Sequence, residues 1–484
     1  MRVLTGLEPE RVFYYFEEIC NIPHGSGNVE QISDYLVAFA KERKLNVIQD
    51  TLKNVIIIKE ATPGYEEEPA VILQGHMDMV AVKKPDSHID MKTEGLSLAV
   101  EGDKIYAKDT SLGGDDGIAV AYALALLDAD NLEHPKLEVV ITVDEEVGMD
   151  GARGIDLSML TGKRMLNLDS EEEGIFLTSC AGGARMNCYL PVSVCEKTGI
   201  AYRISVEGLL GGHSGAEIHK ERGNANCILG RLLYRLSGYM PVWLMSMEGG
   251  LADNAIPRQS VAVVLIEEAD CNKFKEELLR AEQEIKAELA TKDKDFQITV
   301  VCMDEEEALC ADEESVAHMA AYLMALPNGV QAMSADVNGL VETSLNLGIM
   351  KYDAEAQELC CEFSVRSCVE SAKQALIQKV SAVTELAGGS FSVNGDYPGW
   401  AYRIDSPLRE KMVSLYEEMY GVKPKLEAIH AGLECGILAA KIEDLDCISF
   451  GPDMADIHTT EETLSISSTA RVWEYLVRLL AKKG

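Results

Sequence analysis

His76 and Asp78 stand two positions apart at the end of the apolar run Val71-Ile72-Leu73-Gln74-Gly75. In extended backbone, residues i and i+2 point the same way. Their imidazole and carboxylate therefore emerge on one side of a strand end, as a metal ligand and the carboxylate that orients it would. Four further places offer metal-binding groups: Asp115 in Ser111-Leu112-Gly113-Gly114-Asp115-Asp116-Gly117, Glu145 with Glu146 after Asp144, Asp169 before Ser170, and His458 in Gly451-Pro452-Asp453-Met454-Ala455-Asp456-Ile457-His458. Two histidines and three or four carboxylates can hold two divalent cations, one carboxylate bridging them at a separation of ~3.5 to 4 Å. A set of imidazoles and carboxylates without thiolate suits zinc, cobalt or manganese. Taken singly, acidic residues at strand ends are usually solvated loop charges; the co-occurrence of these clusters on one kind of position carries the metal reading.

The elements that must position these groups follow from periodicity. Stretches 9–22 and 29–44 have helical spacing, and 46–50, 54–59 and 70–74 read as strands, with Pro63-Gly64 turning between the last two. A polar loop leads to Ser111, and the acidic pair Asp115-Asp116 suits the start of the Ala- and Leu-rich helix that follows. Strands at 137–143 and 164–168 run directly into Asp144-Glu145-Glu146 and Asp169. Strands alternating with helices, with polar residues at the strand ends, describe an α/β domain whose site lies beyond those ends. From about residue 189 the texture changes: strands such as 201–206 and 260–266 alternate with amphipathic helices at 273–289 and 371–386, without strand-end carboxylates. Past 390 the first texture returns, with a helix at 406–420, strands at 426–429 and 448–450, and a final helix. The expected organisation is a catalytic domain from 1–188 and 392–484, interrupted by an inserted domain at 189–391.

Composition narrows the partners. A chain of 484 residues exceeds one ordinary core. Its 80 acidic against 44 basic residues give a net charge of -36, which repels nucleic-acid phosphates and anionic membranes. The 13 cysteines include no Cys-x-x-Cys pair, as expected of reduced thiols in a cytoplasmic protein. The N-terminus lacks the apolar core of a signal peptide, and the apolar run 119–127 falls short of the ~20 residues of a membrane span. Ala216 stands where a Gly-x-Ser-x-Gly elbow at Ser214 would need its last glycine, and there is no His-Glu-x-x-His, so serine-hydrolase and zincin chemistry are poor readings. His24, His88, His134 and His318 lie away from these motifs and are read as surface or core residues.

Several longer stretches resemble a known family. They are Gly182-Gly183 after Ser179-Cys180-Ala181, the run from Gly208 through His213-Ser214-Gly215 to His219, Arg222-Gly223-Asn224-Ala225-Asn226, Asn254-Ala255-Ile256-Pro257-Arg258, and His430-Ala431-Gly432-Leu433-Glu434-Cys435-Gly436. Together with the strand-end clusters they resemble the di-zinc aminopeptidase, carboxypeptidase and deacylase clan. Within it, they resemble the aminoacyl-histidine dipeptidases, the cytosolic non-specific dipeptidases of bacteria, along essentially the whole chain.

The resemblance implies a mixed-sheet α/β catalytic domain with an inserted α+β lid. It implies two divalent ions, zinc first and cobalt or manganese as alternatives, with His76 and Asp169 on one, Glu146 and His458 on the other, and Asp115 bridging. Asp115 is the bridging member of the aspartate pair because it follows Leu112-Gly113-Gly114, and a cis peptide is implied between Asp115 and Asp116. Asp78 is expected to orient His76. Glu145 is expected as general base, facing away from Glu146 in an extended segment. His213 would stabilise the oxyanion and bind substrate; Asn254, Arg366 and the Gly432 backbone would hold the substrate's C-terminal carboxylate. Aspartate at 169, where carboxypeptidases and deacylases carry glutamate, points to substrates with a free amino terminus. The expected activity is hydrolysis of unblocked dipeptides, Xaa-His included, by a cytoplasmic homodimer. A deacylase of the same clan and a metal-binding protein without activity are the rival readings. Two points stay open: His219 has no settled role, and His458-Thr459-Thr460 departs from the family's His-Ser-Pro.

Overall fold

The computed structural model describes residues 2–483, which form two compact units, Met1–Ser179 with Tyr402–Ala428 and Leu433–Gly484, and Cys180–Ala401 with Ile429–Gly432. The first unit is built on an eight-stranded mixed sheet in the order Asn46–Gln49, Val55–Lys59, Leu137–Thr142, Val71–His76, Arg164–Asn167, Asp446–Ser449, Ile175–Cys180, Lys425–Ile429. Its central strands are parallel, with His76 opposite Thr142 and Gln74 opposite Asn167. Val71–His76 and Leu137–Thr142 are buried along their whole length. Their nearly continuous apolar sequence is what a strand covered on both faces requires.

Helix Gly114–Asp128 packs against Val71–His76 and against helix Glu10–Cys20, and every residue from Gly114 to Leu127 is buried. Asp115 and Asp116 at its start have non-helical backbone angles and are joined by a cis peptide bond, as the resemblance implies. Phe13, Phe16, Leu73, Leu124, Val139 and Leu476 belong to one apolar core.

The stretch read as a polar loop before Ser111 holds a hairpin, Leu98–Glu101 and Lys104–Ala107, turning at Gly102, whose φ is +60°. Four-residue strands with one and two buried positions carry too little apolar alternation to stand out in sequence. The hairpin continues a small sheet with Thr463–Ser465 and Met454–Ala455, which fixes both ends of the loop that carries His458.

The second unit has a nine-stranded antiparallel sheet and its own apolar core. The expected limits at 188/189 and 391/392 fall inside two of its strands, Gly182–Pro191 and Ser390–Tyr397, which pair with each other. Gly182–Pro191 also pairs along its full length with Glu358–Ser367, so the change of unit comes before the strand starts, at 179/180.

Candidate functional site

Five of the sequence-derived metal-binding groups come together in the first unit. His76 ends its strand, and Asp169 follows the parallel strand Arg164–Asn167 by two residues. Glu145 and Glu146 follow Leu137–Thr142 after Asp144, which has a φ of +55° and turns the chain into the short helix Glu145–Gly148. That helix corrects the expectation of an extended segment: adjacent residues there diverge by about 100° rather than 180°. His458 has a φ of +61° in its loop.

Asp115 gives one oxygen to each imidazole. Its Oδ1 lies 3.2 Å from His76 Nε2 and its Oδ2 lies 3.1 Å from His458 Nε2. An Asp169 oxygen is 3.7 Å from His76 Nε2, and a Glu146 oxygen is 3.0 Å from His458 Nε2. His76, Asp115 and Glu146 offer donor atoms within 4.8 Å of one another, and so do His76, Asp116 and Asp169. Asp116 was not singled out as a ligand; its Oδ2 accepts the His76 backbone N–H at 3.2 Å. Gly75 makes room for that carboxylate, since a Cβ there would lie 2.4 Å from Asp116 Oδ2.

The orienting group for His76 differs in detail from the expectation. Nδ1 of His76 is 2.9 Å from the backbone carbonyl of Asp78 and 3.5 Å from its carboxylate. The carboxylate instead accepts the Ser26 hydroxyl at 2.8 Å and the Glu145 backbone N–H at 3.1 Å.

Two carboxyl groups that sequence reasoning passed over complete the site. Glu462, four residues past His458, accepts the backbone N–H groups of Leu112, Gly113 and Gly114 at 2.7, 3.1 and 2.8 Å, and so fixes the turn that presents Asp115. Glu434 lies beneath the strand ends, accepting from Gln74 and Thr142, each at 2.5 Å, while Gln74 accepts from Asn167 at 2.5 Å. Each of these three partners lies two or three residues before His76, Glu145 or Asp169, so one buried polar layer sets the register of all three. Glu434 sits inside a quoted motif; Glu462 gave no signal beyond its nearness to His458.

The electrostatics fit cation binding. Burial pushes the carboxyls of Glu145 and Asp116 up, and neighbouring carboxylates add to that rise. Burial lifts Asp169 to about 6 against the pull of His76. Hydrogen bonds to Asp115 and then Glu146 raise His458 to about 10. Burial opposes charge on His76, and the carboxylates of Asp115, Asp169 and Asp78 close around it outweigh that burial and raise it. A buried surplus of carboxylates around two imidazoles is a donor set whose charge divalent cations balance.

In the second unit, His213 pairs opposite Ala255 in a two-strand ribbon. Its Nδ1 accepts the N–H groups of Gly215 and Ala216 at 3.2 and 3.0 Å, which places its proton on Nε2. Arg366, on strand Glu358–Ser367, lies beside Gly215. Gly432 packs on the ring of Tyr397, which receives a hydrogen bond from Arg366. Asn254 is exposed, and its backbone carbonyl accepts the Ser214 N–H at 2.8 Å. His219 is exposed on a single helical turn.

Residues 72–482 match the model of peptidase family M20/M25/M40. The chain is 35% identical to the cytosol non-specific dipeptidase of Escherichia coli (strain K12), over 99% of both chains. It shares a TM-score of 0.93 and 34% identity with the crystal structure of aminoacylhistidine dipeptidase from Vibrio alginolyticus, covering 100% of this chain and 98% of the other. Aminopeptidase PepT from Bacillus cereus shares the fold at a TM-score of 0.57 and 16% identity, over 98% of both chains. No helix of the described residues is long and apolar enough to cross a membrane.

Proposed function

Because the chain belongs to peptidase family M20/M25/M40, we propose that it is a metal-dependent dipeptidase acting on unblocked dipeptides, Xaa-His among them. The observation that carries this reading is Asp115, which sets one oxygen 3.2 Å from the His76 imidazole and the other 3.1 Å from that of His458. Two divalent ions would be held by His76 and Asp169, and by Glu146 and His458, with Asp115 shared; zinc is the first choice for this donor set. When bound, the ions supply Lewis acidity to the scissile carbonyl and lower the pKa of water from about 15.7 toward about 7.

The protein's own groups handle the proton. Glu145 takes it from the attacking water and returns it to the nitrogen of the leaving amine as the C–N bond breaks. Between the two transfers the Glu145 carboxyl holds the proton. Asp78 ties the Glu145 backbone to the strand end that carries His76. His213 belongs to the inserted lid domain; with its proton on Nε2 it is equipped to donate to the oxyanion. Arg366, with Asn254 and the Gly432 backbone, would receive the substrate's carboxylate.

The name of the Escherichia coli relative supports a cytosolic location, and the homodimer expected from the family belongs to the same reading. Hydrolysis of L-Ala-His and β-Ala-His, with no turnover of N-acetyl amino acids, is the expected result of a substrate panel. Turnover of the acetylated compounds alone would instead establish a deacylase.

A further inference from the structure

Arg366 is 8% exposed, and its Nε has no hydrogen-bond partner among the described residues. No carboxylate of the described residues lies within 4.0 Å of its guanidinium; its Nη1 donates to the phenol oxygen of Tyr397 at 3.3 Å. The neighbouring His430 binds Ser344 at 2.7 Å, and burial, with Arg366 beside it, holds its imidazole down at about 3, hence neutral. A buried guanidinium with no carboxylate in contact lacks its counter-charge until an anion arrives. A planar fork meets a carboxylate well only when the fork itself is fixed.

The sheet explains how a phenol two strands away reaches that fork. Arg366 pairs with Gly183 on one side, and Tyr397 pairs with the same Gly183 on the other. Any side chain at 183 would fill the gap, because a Cβ there would lie 2.6 Å from the Tyr397 hydroxyl. Gly432 closes on the ring as well, with a Cβ position 2.9 Å from Tyr397 Cε2. The backbone of Tyr397 is anchored by Lys373, a fully buried ammonium that donates to its carbonyl at 2.6 Å and to the Asp396 carboxylate at 2.6 Å.

We propose that Tyr397 is the positioning residue of the carboxylate clamp: reaching over Gly183, its hydroxyl fixes the Arg366 guanidinium without neutralising it. The full cation is thereby left for the C-terminal carboxylate of a dipeptide. This rests on the assignment of Arg366 to that carboxylate under the proposed function.

The test compares kcat/KM for a free dipeptide and for the same dipeptide with its C-terminus amidated, using the metal-loaded enzyme. Tyr397→Phe keeps the ring between its two glycines. It is expected to raise KM for the free dipeptide about tenfold, the worth of one hydrogen bond to a charged group, with kcat nearly unchanged and the amide unaffected. Gly183→Ala, which displaces the ring, should shift the acid-to-amide ratio the same way. If Arg366→Met collapses that ratio and Tyr397→Phe does not, the role of Tyr397 is overturned while the clamp stands. If Arg366→Met leaves the ratio intact, the clamp itself is wrong and the proposal falls with it. Equal losses on acid and amide in Tyr397→Phe would mark a merely structural role and overturn it too.

Discussion

The carboxylate of Asp78 accepts the backbone N–H of Glu145 at 3.1 Å, so the strand end that carries His76 is tied directly to the residue proposed as base. Asp78 thus acts on two positions, through its carbonyl on the His76 ring and through its side chain on the turn at Glu145. Asp78→Ala is expected to lower kcat/KM by ~10- to 100-fold, the usual effect of losing such a supporting group. Asp78→Asn, whose amide oxygen can still accept from Glu145, should lose less. Steady-state kinetics on the two variants decides, and equal losses would place the effect on charge alone.

Glu145→Gln keeps the shape of the side chain and removes its capacity to accept a proton. A fall in kcat of ~10²- to 10⁴-fold, with metal content unchanged by elemental analysis, is expected. An unchanged kcat would return the protein to the rival reading of a metal-binding protein without activity.

Glu462 satisfies three buried N–H groups at once. Glu462→Ala leaves those donors without a partner, a destabilisation of about 1–3 kcal/mol for a group of this kind, and loosens the turn before Asp115. Chemical denaturation and metal titration together should show lower stability and weaker metal binding; loss of stability with unaltered metal affinity would confine Glu462 to the fold.

Burial lifts Glu434 from its usual 4.5 to about 8, with His76 and the Thr142 hydrogen bond opposing and Asp169 and Asp78 adding. Between those two values the folded metal-free chain keeps a proton that the unfolded chain has released. Stability is therefore fullest below 4.5 and declines as pH rises toward 8. Glu434→Gln removes this decline. In urea melts of metal-stripped protein, the stability of the variant relative to the parent should rise steadily from pH 4.5 to 8, and a flat difference would show that Glu434 ionises normally.

Much of the candidate site was legible because candidate ligands at strand ends leave a double signature, an apolar run and then an acid or imidazole. His76 and Asp169 follow this rule, and the parallel register brings them together. The proposed roles of Asp115 and His458, and the choice of Glu146 over its neighbour Glu145 as a candidate ligand, come from the motif resemblance, since the immediate sequence does not distinguish a ligand from a solvated loop charge. The helical start at Glu145 was illegible because a single turn of four residues carries no periodicity. Glu462 and Glu434 escaped for a different reason. Their partners are backbone N–H groups about 350 residues earlier and polar side chains on strands distant in the chain, and only the fold makes such partners neighbours. The limits of the inserted unit were displaced into Gly182–Pro191 and Ser390–Tyr397 because strand pairing sets them, whereas composition changes gradually along the chain.

The most direct test of the two-metal account is elemental analysis of the purified protein joined to hydrolysis of L-Ala-His before chelation, after chelation, and after metal is restored. Two divalent ions per chain, activity lost with them and regained on their return, is the predicted result. Fewer than two ions per chain, with no hydrolysis after metal is restored, would contradict it.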